Sequence, residues 1–324
     1  MSVAGRRFIV IGGAGFIGSH VVERLLEEKA AVVTVYDNFS SGRKWHLQRG
    51  RIEPRLKIVQ GEVADLPVLT KAMQGHDTAV HLASNPDIAR AAKEPDIDFY
   101  EGTMLTQQVV EAMRQGQVRR LWYASGSGVY GERGGEASGE DDGPFLPIST
   151  YGASKLAGEA LIASYCAMFG MTARAFRFGN VVGARQTHGV GLDFLRQLRR
   201  DGEKLRILGD GSQSKPYIHV TDAVRAMLLA DGQQAGGYAV YNVAPEDALR
   251  VDEIAELAVD CVSGVGRPAL EYAGGDRGWK GDVPVVRLRT DRIRALGWEP
   301  SLDSRGAMAR ALTELQGDER HFWM

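Results

Sequence analysis

Three glycines spaced three residues apart near the start of the chain constrain its fold more than any other feature. Gly12, Gly15 and Gly18 follow a short β-branched run and precede apolar residues at helical spacing. Such a strand-to-helix turn uses its glycines for a tight bend, for close backbone approach to a bound group and for helix–strand packing. The helix N-terminus offers N–H groups and positive potential to an anion. The sequence therefore predicts a phosphate-binding turn, with Phe16 and Ile17 opening the helix.

An acidic residue at the end of the second candidate strand specifies the bound group further. Asp37 follows the apolar residues 31–36 and lies 19 residues after Gly18. A carboxylate at this place accepts hydrogen bonds from the adenosine ribose and repels a 2′-phosphate. The nearby Arg43 softens that preference. We therefore predict NAD rather than NADP as the cofactor of a dinucleotide-binding unit.

Short apolar runs alternate with helix-like segments through the first half of the chain. The candidate strands are residues 7–11, 31–36, 56–59, 78–82, 119–124 and 173–178. Apolar residues between them recur at helical spacing, as at Val21, Val22 and Leu25. This alternation is typical of a parallel sheet with both faces covered. We predict an α/β fold, with a doubly wound Rossmann sheet in residues 1–180 and one strand returning near 238–244.

The second half of the chain has a different pattern. Glycine and charged clusters become denser, and helical segments are expected at 193–199, 221–229 and 252–259. These features predict a smaller C-terminal α/β substrate domain, formed mainly by residues 181–324. Residues 132–147 are rich in Gly, Glu, Asp and Pro, which predicts an exposed loop.

Charge and composition exclude several functional classes. The 324 residues carry a net charge of −2, so no basic field indicates a nucleic-acid or membrane partner. No apolar run approaches the ~20 residues of a membrane span, and no signal-peptide pattern is present. Cys166 and Cys261 lie far apart without metal-ligand spacing. We expect a cytoplasmic protein with reduced cysteines and no bound metal.

Tyr151 and Lys155 form the second strong motif. They are four residues apart and share one face of a helix. A tyrosine pKa near ~10 must fall by about three units for base catalysis at neutral pH, which requires about 4 kcal/mol of phenolate stabilisation. The Lys155 ammonium and the positive nicotinamide ring supply it by charge proximity. We predict that Tyr151 takes a proton from a substrate hydroxyl as a hydride moves to the nicotinamide.

Together these motifs resemble the extended short-chain dehydrogenase/reductases of the NAD-dependent epimerase/dehydratase family, particularly UDP-sugar 4-epimerases, over about residues 6–315. The resemblance implies that Lys155 also holds the nicotinamide ribose, whereas His81 is interpreted as structural. The further residues that it implies along the cofactor are Asp37, Asn38, Ser40, Gly42, Glu62, Val63, Leu82, Ala83, Ser84 and Ala124.

One element departs from the family pattern. The relatives usually carry a catalytic Ser or Thr four residues before the tyrosine that corresponds to Tyr130, and here that position is Gly126. Ser125 or Ser127 then reaches the site, a water fills the gap, or Tyr151 works without a hydroxyl partner; Ser127 is slightly preferred. Nucleotide-sugar 4,6-dehydratases usually carry an Asp-Glu pair at the next two positions. Ser127 and Gly128 stand there, which argues against dehydration.

The second half resembles the family's nucleotide-sugar-binding segments. Asn180 is at the position that holds the diphosphate, and Lys215 is where an Arg usually faces the phosphates. Arg277 is a second candidate phosphate cation, oriented by Asp282. The residues implied for substrate binding are Ser127, Asn180, Arg185, Thr187, Lys215, Tyr217, Arg277 and Asp282, with Arg185 and Thr187 near the sugar C6 group.

The resemblance implies an epimerase that inverts C4 of a UDP-hexose, either glucose/galactose or glucuronate/galacturonate. The alternatives are a nucleotide-sugar dehydratase, a UDP-glucuronate decarboxylase or a non-catalytic nucleotide-sensing protein. It also implies a homodimer paired through the Tyr–Lys helix. The apolar residues suggested for that contact are Ala157, Leu161, Ile162 and Tyr165; the alternative is that the same stripe packs in the core.

Overall fold

A computed structural model describes residues 3–50, 53–85, 87–233, 236–262 and 266–322. Its strands in chain order are β1 (Arg7–Ile11), β2 (Val32–Asp37), β3 (Leu56–Gln60), β4 (Thr78–His81), β5 (Arg120–Gly126), β6 (Thr172–Phe178), β7 (Asn180–Val182), β8 (Lys204–Ile207), β9 (Ser214–Lys215), β10 (Tyr217–His219), β11 (Tyr238–Val243), β12 (Leu249–Arg250) and β13 (Ala269–Tyr272).

The α-helices are α1 (Phe16–Glu27), α2 (Leu66–Met73), α3 (Leu105–Gly116), α4 (Thr150–Phe169), α5 (Val190–Arg200), α6 (Val220–Asp231), α7 (Val251–Cys261), α8 (Asp291–Arg294) and α9 (Ser304–Gln316). Short 3₁₀ or π turns lie at Lys44–Gly50, Ile88–Ala92, Phe99–Met104, Ser127–Tyr130 and Glu319–His321. Within the described ranges, no helix combines the length and apolarity needed to span a bilayer.

A seven-stranded sheet in the order β11-β6-β5-β4-β1-β2-β3 forms the centre of the fold. β1 pairs in parallel with β2 on one side and β4 on the other, so Ile11 lies beside both Tyr36 and His81. The apolar residues of β1 are fully buried because both sheet faces are covered. Consecutive strands therefore end at one sheet edge, where doubly wound folds bind their ligands. The predicted α/β Rossmann fold is confirmed.

The chain divides into two compact units. The first comprises residues 1–129, 150–177 and 224–241, and the second comprises residues 130–149, 178–223 and 242–324. The core of the first includes Ile9, Met113 and Ile162. The second packs α5, α7 and α9 around a separate core that includes Leu195. The units interleave along the chain, because β11 returns to the sheet and residues 130–149 belong to the second unit.

The structure decides one alternative and corrects one expectation. Ile162 is only 1% exposed, so this member of the apolar stripe on α4 serves the core. Within the predicted exposed loop 132–147, residues 138–140 are buried. Glu140 accepts a hydrogen bond from the backbone N–H of Asn242 at 2.8 Å. This buried N–H needs an acceptor, and the loop supplies it.

Candidate active site

The glycine turn between β1 and α1 leaves no room for side chains at two of its glycines. Gly12 has a φ of +78°, and a Cβ there would lie 2.8 Å from the Ala83 nitrogen. A Cβ on Gly18 would lie 2.2 Å from the Gly12 oxygen. Gly15 precedes α1, and no side chain among the described residues caps this helix start. The first N–H groups of α1, from Phe16 and Ile17 onward, therefore suit an anionic phosphate.

The Asp37 carboxylate organises the end of β2. It is 6% exposed and accepts backbone hydrogen bonds from Ala14 and Phe39, each at 2.8 Å. Burial raises the Asp37 pKa, and these two hydrogen bonds oppose that rise. Gly42 packs closely against the carboxylate. Asp37 thus braces the glycine turn besides lying where the ribose is expected.

The polar residues after Asp37 form one hydrogen-bond network. Asn38 donates to the Glu62 carboxylate at 3.0 Å, and the Ser40 hydroxyl donates to the Asn38 side-chain oxygen at 2.8 Å. Glu62 is exposed, whereas Val63 is buried in the core of the first unit. This hydrogen-bond network fixes the loop after β2 in place.

The segment after β4 runs past the glycine turn. Leu82 donates its backbone N–H to the Ile11 oxygen at 2.9 Å, and Ala83 contacts Gly12. His81 is buried, which lowers its pKa to about 3, and its Nε2 lies 3.1 Å from the Thr106 hydroxyl. A histidine that stays neutral at physiological pH fits the predicted structural role.

Helix α4 brings Tyr151 and Lys155 together. The Lys155 ammonium donates to the Ala124 carbonyl oxygen at 2.9 Å and lies 5.4 Å from the centre of the Tyr151 ring. Lys155 is 4% exposed, and burial lowers its pKa to about 8. Burial and the charge of Asp98 raise the Tyr151 pKa to about 12. A further positive charge is therefore needed for base catalysis near neutral pH.

Asp98 is the carboxylate that acts on Tyr151 by charge. It is buried, and its two oxygens accept hydrogen bonds from the Asn85 amide at 2.9 Å and the Thr150 hydroxyl at 2.7 Å. Thr150 is the first residue of α4, so this contact holds the start of the helix. Asp98 therefore stabilises the N-terminal end of α4 through its hydrogen bond with Thr150.

Two buried residues that sequence reasoning missed decide the role of Ser125. The Ser125 hydroxyl donates to the Glu159 carboxylate at 2.6 Å, and Arg177 holds the same carboxylate. Ser125 is thus committed to Glu159 and is not the hydroxyl partner of Tyr151. Glu159 follows Lys155 by four residues, a spacing that places both on one helix face and was the available signal. Ser127 opens a 3₁₀ turn, and its hydroxyl has no hydrogen-bond partner among the described residues.

In the second unit, Asn180 and Tyr217 lie directly beside each other. β7 and β10 pair in parallel with these two residues in register. Tyr217 is buried, which raises its pKa to about 12. The pairing of the two strands fixes the backbone of Asn180 beside that of Tyr217.

The predicted phosphate cations are both paired with acidic groups. Lys215 forms a short ion pair with Asp282, and its ammonium lies 5.0 Å from the Trp279 ring centre. Arg277 binds the Glu132 carboxylate at 2.9 Å and donates to the Asp282 backbone oxygen at 2.9 Å. The Asp282 side chain therefore orients Lys215, whereas only its carbonyl group holds Arg277.

The segment after β7 contains the remaining two candidates. Arg185 has a φ of +67°, which is uncommon for a residue with a side chain. The Thr187 hydroxyl lies 3.2 Å from His188 Nδ1. An unusual backbone conformation is a frequent property of ligand-binding segments.

This sheet order, with a Tyr–Lys helix following β5, defines a dinucleotide-dependent enzyme of the short-chain dehydrogenase/reductase class. Residues 8–244 match the model of the NAD dependent epimerase/dehydratase family. The chain belongs to this family, and NAD is its cofactor.

Several known proteins are similar over nearly the whole chain. A UDP-glucose 4-epimerase of Corynebacterium glutamicum is 29% identical, covering 97% of this chain and 98% of that protein. A crystal structure of a UDP-galactose 4-epimerase is 35% identical with a TM-score of 0.85, covering 96% and 99%. A dTDP-glucose 4,6-dehydratase of Streptomyces venezuelae, solved with NAD, is 26% identical with a TM-score of 0.90, covering 98% and 99%.

The residues of this chain fit NAD. The two glycines that exclude side chains and the uncapped start of α1 form a cradle for the pyrophosphate. Asp37 at the end of β2 and Lys155 on α4 are the residues that would hold the adenosine ribose and the nicotinamide ribose. The positive nicotinamide ring of bound NAD would supply the charge that Tyr151 needs.

Proposed function

We propose that this protein is an NAD-dependent epimerase that inverts C4 of a UDP-hexose. The observation that carries the proposal is the Tyr151–Lys155 pair, with Ser127 and Gly128 where dehydratases carry two carboxylic acids. Elimination of water needs an acid and a base beside the tyrosine, and both oxygens of Asp98 are engaged in structural hydrogen bonds. The epimerase relatives support the same assignment.

The reaction follows from the groups on α4. Tyr151 accepts the proton of the sugar 4-hydroxyl, and the Lys155 ammonium stabilises the resulting phenolate. Bound NAD supplies the acceptor and later the donor of the C4 hydride. The 4-keto sugar turns over in the site, the hydride returns to its opposite face, and Tyr151 gives the proton back. No net oxidation occurs.

The substrate nucleotide is proposed to bind the second unit. Asn180, Lys215 and Arg277 are the candidate ligands of the diphosphate, and Tyr217 lies in register beside Asn180. Arg185 and Thr187 are the candidates for contacting the C6 group, where glucose carries a hydroxyl and glucuronate a carboxylate. UDP-glucose/galactose and UDP-glucuronate/galacturonate are the two proposed pairs.

Product analysis tests this function. The purified protein is incubated without added reductant with UDP-glucose, UDP-glucuronate and UDP-N-acetylglucosamine, and products are identified by mass spectrometry and NMR. We expect one substrate to give a C4 epimer of equal mass, and Tyr151→Phe to abolish it. Loss of water or carbon dioxide would instead identify a dehydratase, as the similarity to the Streptomyces venezuelae enzyme suggests, or a decarboxylase. Absence of turnover with NAD bound would contradict the epimerase proposal for these substrates and favour a sensing role.

We also propose a homodimer paired through α4. Leu161 and Tyr165 are partly exposed on this helix, and Met168 is 71% exposed. Leu161→Glu should convert a dimer of about twice 35.2 kDa into a monomer when the mass is measured by light scattering. The matched control is Val68→Glu, at an exposed apolar residue of α2. A wild-type monomer, or a variant that remains dimeric, would contradict this arrangement.

A further inference from the structure

A backbone carbonyl group in the middle of the glycine turn is held by a histidine from the segment after β2. The Nδ1 atom of His46 lies 2.8 Å from the backbone oxygen of Ala14. We infer that His46 is a positioning residue for NAD, which fixes the turn so that the first N–H groups of α1 face the pyrophosphate. The inference goes beyond the proposed function, because it concerns the cofactor and not the sugar.

The hydrogen of this contact belongs to the histidine. A carbonyl oxygen only accepts hydrogen bonds, so Nδ1 of His46 carries the hydrogen and donates it to Ala14. His46 is 1% exposed, and its backbone N–H donates to the Arg43 oxygen at 3.0 Å. The residue is therefore fixed through both its ring and its backbone, out of contact with bulk water.

Ala14 is hydrogen-bonded on both sides by the chain that follows β2. Its backbone N–H donates to the Asp37 carboxylate at 2.8 Å. Its oxygen accepts from the Arg43 N–H at 3.0 Å as well as from His46. Ala14 itself is fully buried. The two buried side chains of Asp37 and His46 thus hold the two peptide groups that flank the Ala14 Cα atom.

The peptide group between Ala14 and Gly15 sets the direction of the phosphate-binding N–H groups. Its oxygen is bound by His46, and its N–H donates to the Gly12 oxygen at 3.1 Å. A planar peptide group that is bonded at both ends cannot rotate without breaking one of these bonds. Gly15 has no side chain to restrict its dihedral angles. The hydrogen bonds restrict them instead, and they preorganise the N–H of Phe16 that follows.

A second histidine of the same unit makes a similar contact away from the cofactor. Nδ1 of His76 lies 3.2 Å from the Met73 oxygen, and its Nε2 lies 2.8 Å from the Thr34 hydroxyl. His76 precedes β4, so it lies at the sheet edge opposite the glycine turn. Both histidines thus place the same ring atom beside a backbone carbonyl group. His76 is therefore a matched control for a purely structural role.

Calorimetric titration of the full-length protein, freed of bound nucleotide, tests the inference. His46→Ala should raise the Kd for NAD by about tenfold, because a loosened turn must be ordered on binding. His46→Asn should keep the wild-type Kd, since its amide nitrogen takes the place of Nδ1. His46→Gln places its amide nitrogen near Nε2 instead and should resemble His46→Ala. His76→Ala should lower the free energy of unfolding and leave the Kd unchanged.

ADP-ribose distinguishes the phosphate-binding turn from the nicotinamide end of the site. It keeps the adenosine and the pyrophosphate of NAD, so its Kd should rise in His46→Ala by the same factor. Amide hydrogen exchange of the nucleotide-free protein measures the turn directly. Exchange across residues 12–18 should be faster in His46→Ala than in the wild type, and it should be unchanged in His46→Asn.

Several outcomes would overturn the inference. They are a wild-type Kd for NAD in His46→Ala, an equal loss of affinity in His46→Asn and His46→Ala, and an unchanged Kd for ADP-ribose. If His46→Ala does not fold, the comparison of His46→Asn with His46→Gln decides, and equal Kd values overturn the inference. None of these measurements uses a UDP-sugar, so failure of the proposed function leaves their result unaffected.

Discussion

Arg177 on β6 donates two hydrogen bonds, of 2.9 and 2.6 Å, to the carboxylate of Glu159 on α4. Both side chains are almost fully buried, with 3% and 5% exposure. Ser125 at the end of β5 adds a third hydrogen bond to this carboxylate. Since Glu159 lies one turn after Lys155, the ion pair fixes the helix of the proton-transfer residues against the sheet.

We expect loss of one member of this pair to destabilise the protein strongly. Glu159→Gln leaves the buried Arg177 guanidinium uncompensated and should lower the free energy of unfolding by about 3–5 kcal/mol. Denaturant unfolding measures this loss. The control is Glu28→Gln, which disrupts the exposed Arg24–Glu28 pair and should cost less than about 1 kcal/mol. Equal losses in both variants would show that burial does not decide the effect.

Burial of Lys155 should make stability depend on pH. Its pKa is lowered from 10.5 to about 8, so the folded state holds this proton less tightly than the unfolded state. Below about pH 8 the ammonium is charged in both states and carries a burial penalty of about 3 kcal/mol. Above about pH 10.5 it is neutral in both, so the free energy of unfolding rises between these values. Lys155→Met should lack this rise when both proteins are unfolded at several pH values, and a wild-type curve that falls relative to the variant would contradict the assignment.

Asp37 should control the choice of cofactor. Asp37→Asn keeps an acceptor oxygen for Phe39 or Ala14 but removes the charge that binds the ribose hydroxyls and repels a 2′-phosphate. We expect the affinity for NAD to fall by about tenfold. The ratio of the affinities for NAD and NADP should decrease as well. Calorimetric titration of each cofactor tests this. Glu28→Gln, just beyond the other end of α1, should change neither affinity.

Lys215 should bind the substrate phosphates despite its pairing with Asp282. Lys215→Ala removes a partly buried cation and should raise the Kd for UDP by about tenfold or more. The matched control is Lys280→Ala, an exposed lysine of the same region, which should change the Kd much less. Calorimetry with UDP distinguishes them, and unfolding curves verify that both variants fold. Similar Kd values for the two variants would show that Lys215 does not bind the phosphates.

Local patterns in the sequence were sufficient for the strands of the central sheet and the main motifs, but they did not predict the short strands β7–β10, β12 and β13. The strand predicted at residues 7–11 is β1, and the helix predicted at 252–259 lies within α7 (Val251–Cys261). The helical spacing of Tyr151 and Lys155 is likewise confirmed. Such features depend on neighbours in sequence, so periodicity and residue type specify them.

Partners distant in sequence could not be predicted in this way. Asp98 binds Thr150, and Lys215 pairs with Asp282, across more than fifty intervening positions. Whether Ile162 faces outward or into the core depends on which helices cover α4. These contacts arise only when strand order and helix packing are established.

The sequence by itself determined the glycine turn, the acidic end of β2, the Tyr–Lys helix and therefore the class of cofactor, because each is a local motif with its own geometry. Tertiary structure alone decided that Ser125 donates to Glu159 and that Arg177 pairs with the same carboxylate. Both contacts form only when α4 packs against the sheet, because this packing brings residues far apart in sequence into hydrogen-bond distance.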